Sequence, residues 1–412
     1  MRCYRVGGAI RDRLLGLPVK DTDWVVTGAT PEEMIKAGYR PVGKDFPVFL
    51  HPETQEEYAL ARTERKISRG YAGFSFNTDP TITIEQDLER RDLTINAIAE
   101  DENGQLIDPF DGQRDLQLKC LRHVSDAFVE DPLRVLRVAR FAARFAHLGF
   151  HIADETLQLM GQIGASGELD ALVPERVWVE MNKALGEADP QVFFTSLRDA
   201  GVLSILFPEI DNLFGVPQTA SYHPEVDTGI HLMLAMKKSA ELDFTNDVRF
   251  AVLTHDLGKA TTPAHILPGH RGHEQRGVKL TREFCRKWRV PKAITELALM
   301  TCEYHTHIHR AYEMKPSTLL KFFYQTDIFR RLERFHKMTQ ACLADARGRT
   351  GFEEDPYPQA DYAWRLAQQL HNLDVSPVIS SGKQGPALGD AIYDFRLQYL
   401  QQIVEDEPEI QA

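Results

Sequence analysis

Two carboxylates one residue apart are the feature that most constrains this chain. Asp21 and Asp23 stand directly before the apolar, β-branched run Trp24-Val25-Val26. Side chains at positions i and i+2 of a strand point to the same face of a sheet, so both carboxylates can aim at one point. Such a pair forms a hard-oxygen site suited to Mg²⁺, which proteins usually hold with one or two carboxylates plus substrate phosphates.

A glycine pair precedes the carboxylates. Gly7-Gly8 is followed by Arg11, and because glycine has no Cβ, its backbone amides can approach a triphosphate closely. The glycines and the carboxylates together predict a nucleotidyl-transfer site. A helix start at Thr30-Pro31-Glu32-Glu33, alternating with strand-like segments, predicts an α/β or α+β head domain. The sequence contains no Walker A motif, so nucleotide binding of the P-loop type is not expected.

Composition limits the classes of partner. The chain has 412 residues and a formal charge of −12, so we expect two to four domains, and any polyanionic partner requires a local basic face. The five cysteines are scattered without a CxxC pair, which favours a reduced, cytoplasmic protein and argues against a thiolate zinc site. No apolar run reaches the roughly 18 residues of a membrane helix, so no membrane partner is expected.

An arginine face supplies the local positive charge. Pro132 fits the first turn of a helix in which Arg134, Arg137, Arg140 and Arg144 fall within an arc of roughly 120°. No acidic residue interrupts the chain between Asp131 and Asp154, whereas a solvated helix face usually mixes both signs of charge. The pattern therefore predicts an anion-binding face.

The cluster Arg90-Arg91-Asp92 has two interpretations. It is either a salt-bridged helix start or an arginine for the triphosphate, with Asp92 orienting that arginine or contacting the sugar. The basic segment 62–70 is predicted to be a mobile loop, and a purely solvated loop is an equal alternative to a functional one. From Asp154 to about Pro224 the pattern is helical throughout and indicates no chemistry.

Residues 225–350 hold a second set of chemically active side chains. Imidazole and carboxylate ligands suit transition metals such as Mn²⁺, Fe²⁺, Co²⁺ or Ni²⁺. Each histidine alone is typical of a surface or core position, and His307 and His309 are candidates for incidental ones, but the concentration in one region indicates a metal site. The set comprises His231, His255, Asp256, His270, His273, His305, His307, His309 and Asp345.

These motifs resemble a known family. Gly7-Gly8 through Asp21-Thr22-Asp23, then Arg90-Arg91-Asp92, then Glu130-Asp131 with Arg134, are similar in order and spacing to the class II tRNA nucleotidyltransferases, the CCA-adding enzymes of the polymerase β superfamily. The His/Asp set, with Asp345-Ala346-Arg347-Gly348-Arg349, resembles an HD phosphohydrolase domain. The pairing resembles the multifunctional bacterial members of that family.

The resemblance implies an α+β fold. A polymerase β-like head, a small mixed sheet with helices, would span 1–140 and end in the nucleotide-reading helix. An all-α body at 141–224 would bind tRNA, an all-α HD domain would span 225–350, and a helical tail would span 351–412. The implied partners are tRNA, ATP and CTP, and both a monomer and a homodimer are open.

The resemblance also assigns roles in the head. Asp21 and Asp23 would be catalytic and bind two Mg²⁺ ions. Glu57 is the favoured third carboxylate and Glu64 its competitor. The nucleotide-binding set has three parts: Gly8 and Arg11 for the triphosphate, with Arg91 for phosphate or sugar; Asp131 and Arg134 for the Watson–Crick edge of C or A; and Arg137 and Arg140 for phosphates or base.

In the HD domain, a divalent transition metal such as Ni²⁺, Mn²⁺ or Co²⁺ would be held by His231, His255, Asp256 and Asp345, with His273 and His305 as possible extra ligands. The implied activities are phosphatase, 2′-nucleotidase and 2′,3′-cyclic phosphodiesterase. Two rivals are a bacterial poly(A) polymerase, disfavoured by the acidic C-terminal residues 405–410, and an HD hydrolase with a non-catalytic head, disfavoured by the intact Asp21 and Asp23.

Overall fold

A computed structural model describes residues 1–19, 21–42, 48–66 and 74–406. The described residues form two compact units, which divide after Pro208. Within the loop predicted at 62–70, residues 63–66 form a strand instead, and residues 67–70 lie outside the described residues. Residues 407–410 of the acidic end also lie outside them. The Glu64 side chain also lies outside what is described.

The strands of the described residues all belong to the first unit. In chain order they are β1 Arg2–Val6, β2 Asp23–Thr27, β3 Arg40–Pro41, β4 Val48–Leu50, β5 Glu57–Leu60, β6 Thr63–Lys66, β7 Phe74–Asn77, β8 Ala99–Glu100, β9 Leu106–Ile107, β10 Cys120–Leu121 and β11 His151–Ile152. A mixed sheet has the order β3-β4-β5-β2-β1-β8-β9. β2 is antiparallel to β1 and parallel to β5.

Strand β2 lies at the centre of this sheet, and both of its faces are covered. Val25 packs with Val6 and Leu88 on one face, and Val26 packs with Met34 and Phe49 on the other. A strand buried on both faces reads as a continuous apolar run, which is why the sequence after Asp23 identifies it. The strand begins at Asp23, so Asp21 precedes it rather than lying within it.

The helices follow in chain order: α1 Gly8–Leu14, α2 Pro31–Lys36, α3 Ile84–Glu89, α4 Gly112–Leu118, α5 Leu133–Phe145, α6 Asp154–Ala165, α7 Pro174–Leu185, α8 Pro190–Asp199, α9 Leu203–Leu206, α10 Pro208–Asp211, α11 Thr228–Glu241, α12 Asn246–Thr254, α13 His273–Lys287, α14 Lys292–His309, α15 Pro316–Gln325, α16 Leu332–Arg347, α17 Pro358–His371, α18 Ser376–Ile379 and α19 Pro386–Glu405.

Local sequence explains where two of the first helices begin. Thr30 caps α2 through a complete capping box with Glu33, as its sequence predicts. Gly7 precedes α1 with φ +66, a left-handed conformation that favours glycine. A Cβ at Gly7 would also lie 2.8 Å from Nη1 of Arg91, so the backbone approaches this arginine only because the side chain is absent.

The second unit is built from helices around α14, which packs against α12, α13 and α16. Phe250, Cys302 and Cys342 are fully buried between them. The predicted fold class, a small mixed sheet with helices followed by helical regions, is confirmed. Among the described residues, no helix combines the length and apolar character that a membrane crossing requires.

Candidate active and metal sites

A cavity of about 490 Å³ lies in the first unit. Its walls include Asp23 and every nucleotide-binding residue that the sequence predicted: Gly8, Arg11, Arg91, Asp131, Arg134, Arg137 and Arg140. The fold therefore brings residues that are up to 132 positions apart along the chain to the walls of one cavity. Asp21 is exposed and does not line this cavity.

Asp23 stands at the first position of β2, directly opposite Glu57 on the parallel strand β5. Burial raises the pKa of Asp23, the positive charge of Arg91 lowers it, and the neighbouring negative charge of Asp21 raises it again. The resulting pKa lies above the usual value. A divalent cation would relieve the repulsion between the carboxylates of Asp21 and Asp23, and oxygen donors are those that Mg²⁺ prefers. The residues present therefore fit Mg²⁺.

Arg11 lines the cavity from α1, and Arg91 lines it from the residues that follow α3. Arg11 is only 3 % exposed, and it donates hydrogen bonds to Asn96 Oδ1 at 2.5 Å and Asp12 Oδ1 at 2.8 Å. Arg91 pairs with Asp87 at 3.3 Å, and its buried Nε has no hydrogen-bond partner among the described residues. An unpartnered buried donor beside a cavity is suited to an incoming oxyanion.

One interpretation of the cluster held that Asp92 orients Arg91, but in the structure Asp92 has other partners. Its carboxylate accepts hydrogen bonds from the backbone N–H of Leu93, from Asn96 and from Arg137 Nε, the last at 2.7 Å. Burial alone would raise the pKa of Asp92, but Arg137 and Asn96 hold it below its usual value. Arg91 pairs instead with Asp87, because Asp87 lies one helical turn earlier on the same face.

The arginines of α5 are bonded to groups on other elements. Arg134 donates to the backbone carbonyls of Ala127 at 2.6 Å and Arg90 at 2.5 Å. The other three arginines pair with acids from elsewhere in the unit: Arg137 with Asp92, Arg140 with Glu180 and Arg144 with Asp12. The absence of acids along α5 therefore reflects partners supplied by neighbouring elements, and the anion-binding role of this face stays a prediction.

The Phe141 ring lies beneath the guanidinium groups of this cavity. Arg140, Arg11 and Arg137 lie 4.3, 5.1 and 5.9 Å from its centroid. Cations over an aromatic face are attracted by the negative centre of the ring. The ring helps to hold like charges close together around the volume where an anion is expected.

Arg176 is a cavity residue that sequence reasoning missed. It lies on α7, within the region predicted to carry no chemistry, and its Nη2 donates to Asp131 Oδ2 at 3.2 Å. Asp131 Oδ1 accepts the backbone N–H of Leu133 at 3.0 Å, so both carboxylate oxygens are oriented. A single arginine at a helix start carries no local signal, since only packing of α7 against α5 brings it near Asp131.

A second cavity, of about 620 Å³, lies in the second unit. The four predicted ligands converge beside it from α11, the end of α12 and α16. His231 Nε2 lies 2.8 Å from Asp345 Oδ1, and His255 Nε2 lies 3.1 Å from Asp256 Oδ2 and 3.5 Å from Asp345 Oδ1. All four side chains are at most 10 % exposed.

The two buried carboxylates of this cluster favour a positive charge between them. His255 Nδ1 bonds the Val252 carbonyl at 2.7 Å, which requires Nδ1 to be the donor and leaves Nε2 facing two carboxylates. Burial lowers the pKa of His255, but Asp256 and Asp345 outweigh burial and raise it well above the usual value. His255 Nε2 and Asp256 Oδ1 are buried and make no well-aligned hydrogen bond among the described residues. A divalent transition metal at this point would satisfy all of these groups.

His273 and His305 converge on the free side of Asp256. Their Nε2 atoms lie 3.1 Å apart, and 3.3 and 3.6 Å from Asp256 Oδ1. Each Nδ1 lies within hydrogen-bond distance of a backbone carbonyl, that of His270 or Thr301. The structure thus brings together the possible extra ligands.

The two histidines predicted to be incidental, His307 and His309, differ in their surroundings. His307 stacks on Phe322 and is incidental to the cluster, whereas His309 Nε2 lies 2.8 Å from Asp345 Oδ2. Sequence reasoning also missed Glu225, whose Oε1 lies 3.0 Å from Nδ1 of His231. A carboxylate behind a ligating histidine orients its ring, but nothing in the local sequence marks Glu225 for this role.

Comparisons with known proteins agree with this architecture. Family models match the "Poly A polymerase head domain" at residues 3–122, the "Probable RNA and SrmB- binding site of polymerase A" at 149–214 and the HD domain at 228–332. A "Multifunctional CCA protein" of Thioalkalivibrio sulfidiphilus is 57% identical over 98% of both chains, and one of Teredinibacter turnerae is 55% identical over 97% of both. A Bacillus stearothermophilus CCA-adding enzyme in complex with CTP superposes with a TM-score of 0.64 at 23% identity, covering 98% of this chain and 90% of that one.

Proposed function

The chain belongs to the family of multifunctional CCA proteins, and we propose that it is an enzyme that adds and repairs the 3′-terminal CCA of tRNA. It would use CTP and ATP and no nucleic-acid template. The observation that carries this proposal is the single cavity around which Asp23, the glycine turn and the arginines of α5 meet. The helical body at 141–224 is the part to which we assign tRNA binding.

In this mechanism Asp21 and Asp23 are the residues that would hold Mg²⁺. When bound, Mg²⁺ in a two-metal arrangement lowers the barrier by stabilising both the attacking and the leaving oxygen. The backbone at Gly8, together with Arg11 and Arg91, binds the triphosphate. We retain Glu57 as the third carboxylate, since it is the register partner of Asp23.

Base selection is proposed to rest on Asp131 and Arg134. A carboxylate accepts from the exocyclic amine that C and A share, and a guanidinium donates to a ring nitrogen. Arg176 and the N–H of Leu133 hold the two oxygens of Asp131, which fixes the direction in which the carboxylate can accept. Arg137 and Arg140 complete the cationic wall.

The test uses a tRNA that ends before CCA, with CTP alone, ATP alone and both together. We expect two C additions with CTP and a complete CCA with both. Asp23→Ala should abolish incorporation, while Glu102→Ala, an exposed acid between β8 and β9, should not. Sustained addition of A to generic RNA without C addition would identify a poly(A) polymerase, and full incorporation by Asp23→Ala would refute the transferase assignment.

For the second unit we propose metal-dependent hydrolysis of phosphate esters, with phosphatase, 2′-nucleotidase and 2′,3′-cyclic phosphodiesterase activity. His231, His255, Asp256 and Asp345 would hold a cation such as Ni²⁺, Mn²⁺ or Co²⁺, with His273 and His305 as further ligands. When bound, such a cation makes water a competent nucleophile at neutral pH. The cationic side chains of the cavity wall, including those of Lys259 and Arg349, would attract the phosphate.

His255→Ala should remove this hydrolysis while CCA addition continues. His265→Ala is the matched control, because His265 is exposed on the loop before α13. Hydrolysis that survives in His255→Ala would contradict the metal assignment. Loss of both activities in that variant would contradict the independence of the two sites.

A further inference from the structure

We propose that Tyr357 and His309 are positioning residues that decide which oxygen of Asp345 faces the metal position in the second unit. This inference rests on the proposed metal-dependent function of that site. Tyr357 belongs to the acidic, proline-containing segment between α16 and α17. In the structure it lies at the start of α17 and lines the same cavity as His309 and Asp345.

The two oxygens of Asp345 face different surroundings. Oδ1 lies 2.8 Å from His231 Nε2 and 3.5 Å from His255 Nε2, at the point where the predicted ligands converge. Oδ2 lies 2.8 Å from His309 Nε2, on the opposite side. A donor at Oδ2 therefore holds this oxygen and leaves Oδ1 directed at the metal position.

The hydroxyl of Tyr357 fixes the proton of His309 on the correct nitrogen. The phenol oxygen lies 2.6 Å from His309 Nδ1. A protonated phenol donates to Nδ1, so a neutral imidazole then carries its hydrogen on Nε2 and donates to Asp345. Burial raises the pKa of Tyr357 well above its usual value, which keeps the hydroxyl protonated.

Without the Tyr357 hydroxyl, the tautomer of His309 would no longer be fixed. A His309 ring with its hydrogen on Nδ1 would turn the Nε2 lone pair toward Oδ2, and the carboxylate would lose its fixed orientation. Outer partners of metal ligands typically contribute roughly 10- to 100-fold in metal affinity. We therefore expect Tyr357→Phe to weaken metal binding by about that factor.

The experiment measures Co²⁺ binding to the full chain by its visible absorption, with excess Mg²⁺ present to occupy the carboxylate site of the first unit. The variants are Tyr357→Phe, His309→Gln and the two combined. Glutamine can present an amide N–H near the position of Nε2 and has no tautomer to choose. The matched control is Tyr312→Phe, since Tyr312 stacks on Tyr362 and donates to the Pro358 carbonyl.

The expected result is a roughly 10-fold or larger rise in the Co²⁺ dissociation constant for Tyr357→Phe, with an altered absorption band, and no change for Tyr312→Phe. In the His309→Gln background, Tyr357→Phe should have no further effect. Unchanged Co²⁺ affinity in Tyr357→Phe, or an equal loss in both backgrounds, would overturn the inference. A wild-type chain that binds no Co²⁺ would instead refute the metal site itself, and an unchanged thermal transition of the second unit reports that each variant is folded.

Discussion

Replacing Arg140 tests whether this arginine serves the nucleotide or the fold. Its Nε lies 2.6 Å from Glu180 Oε2, and the two side chains are 9 % and 5 % exposed. Removal of one partner from a buried pair costs about 3–5 kcal/mol, because the other charge stays buried and unpaired. In a unit of this size each kcal/mol corresponds to about 2–4 °C, so Arg140→Met should lower the melting temperature of the first unit by about 6–20 °C.

Differential scanning calorimetry can follow this unit separately, since CTP with Mg²⁺ should raise only its transition. Arg114→Met, an exposed substitution on α4, is the control and should leave the transition within about 2 °C. Arg140→Met combined with Glu180→Leu should recover most of the loss, because an apolar pair no longer buries a lone charge. A single variant that melts like the wild type but has a raised KM for CTP and ATP would refute the structural role.

Three further outcomes follow from the structure. Asp92 has a lowered native pKa, so its ionised form stabilises the protein above the usual value of about 3.9 and this stability is lost as pH falls below it. Asp92→Asn should therefore reduce stability at neutral pH and flatten the acid side of a melting-temperature profile. In Gly258→Ala a Cβ would overlap the carbonyl of His273, so Co²⁺ titration should show weakened binding while CCA addition persists. After dialysis against EDTA, Mg²⁺ should restore CCA addition, and Ni²⁺ or Mn²⁺ should restore hydrolysis.

Each of these three predictions would be contradicted by a specific result. An Asp92→Asn profile parallel to that of the wild type would show that the carboxylate does not titrate as inferred. Wild-type Co²⁺ affinity in Gly258→Ala would show that α13 tolerates the added methyl group. Restoration of hydrolysis by Mg²⁺ alone would argue against a site selective for imidazole-binding metals.

The sequence alone determined the local features of both sites. Asp23 begins a strand that is buried on both faces, so the apolar run that follows it is continuous and recognisable. Gly7 needs a positive φ, and His255-Asp256 adjoin by covalent connection. Such features depend on a few neighbouring residues, and their physical requirements can therefore be read from order and spacing.

Only the tertiary structure decided which side chains meet across the chain. Arg140 contacts Glu180, Asp131 contacts Arg176, and His309 contacts Tyr357, because segments distant in sequence pack together. The helical period correctly placed the arginines of α5 on one face, yet it could not show that this face is turned toward neighbouring elements. Burial makes each charge require a partner, and the partner is selected by packing geometry, which leaves no trace in local periodicity.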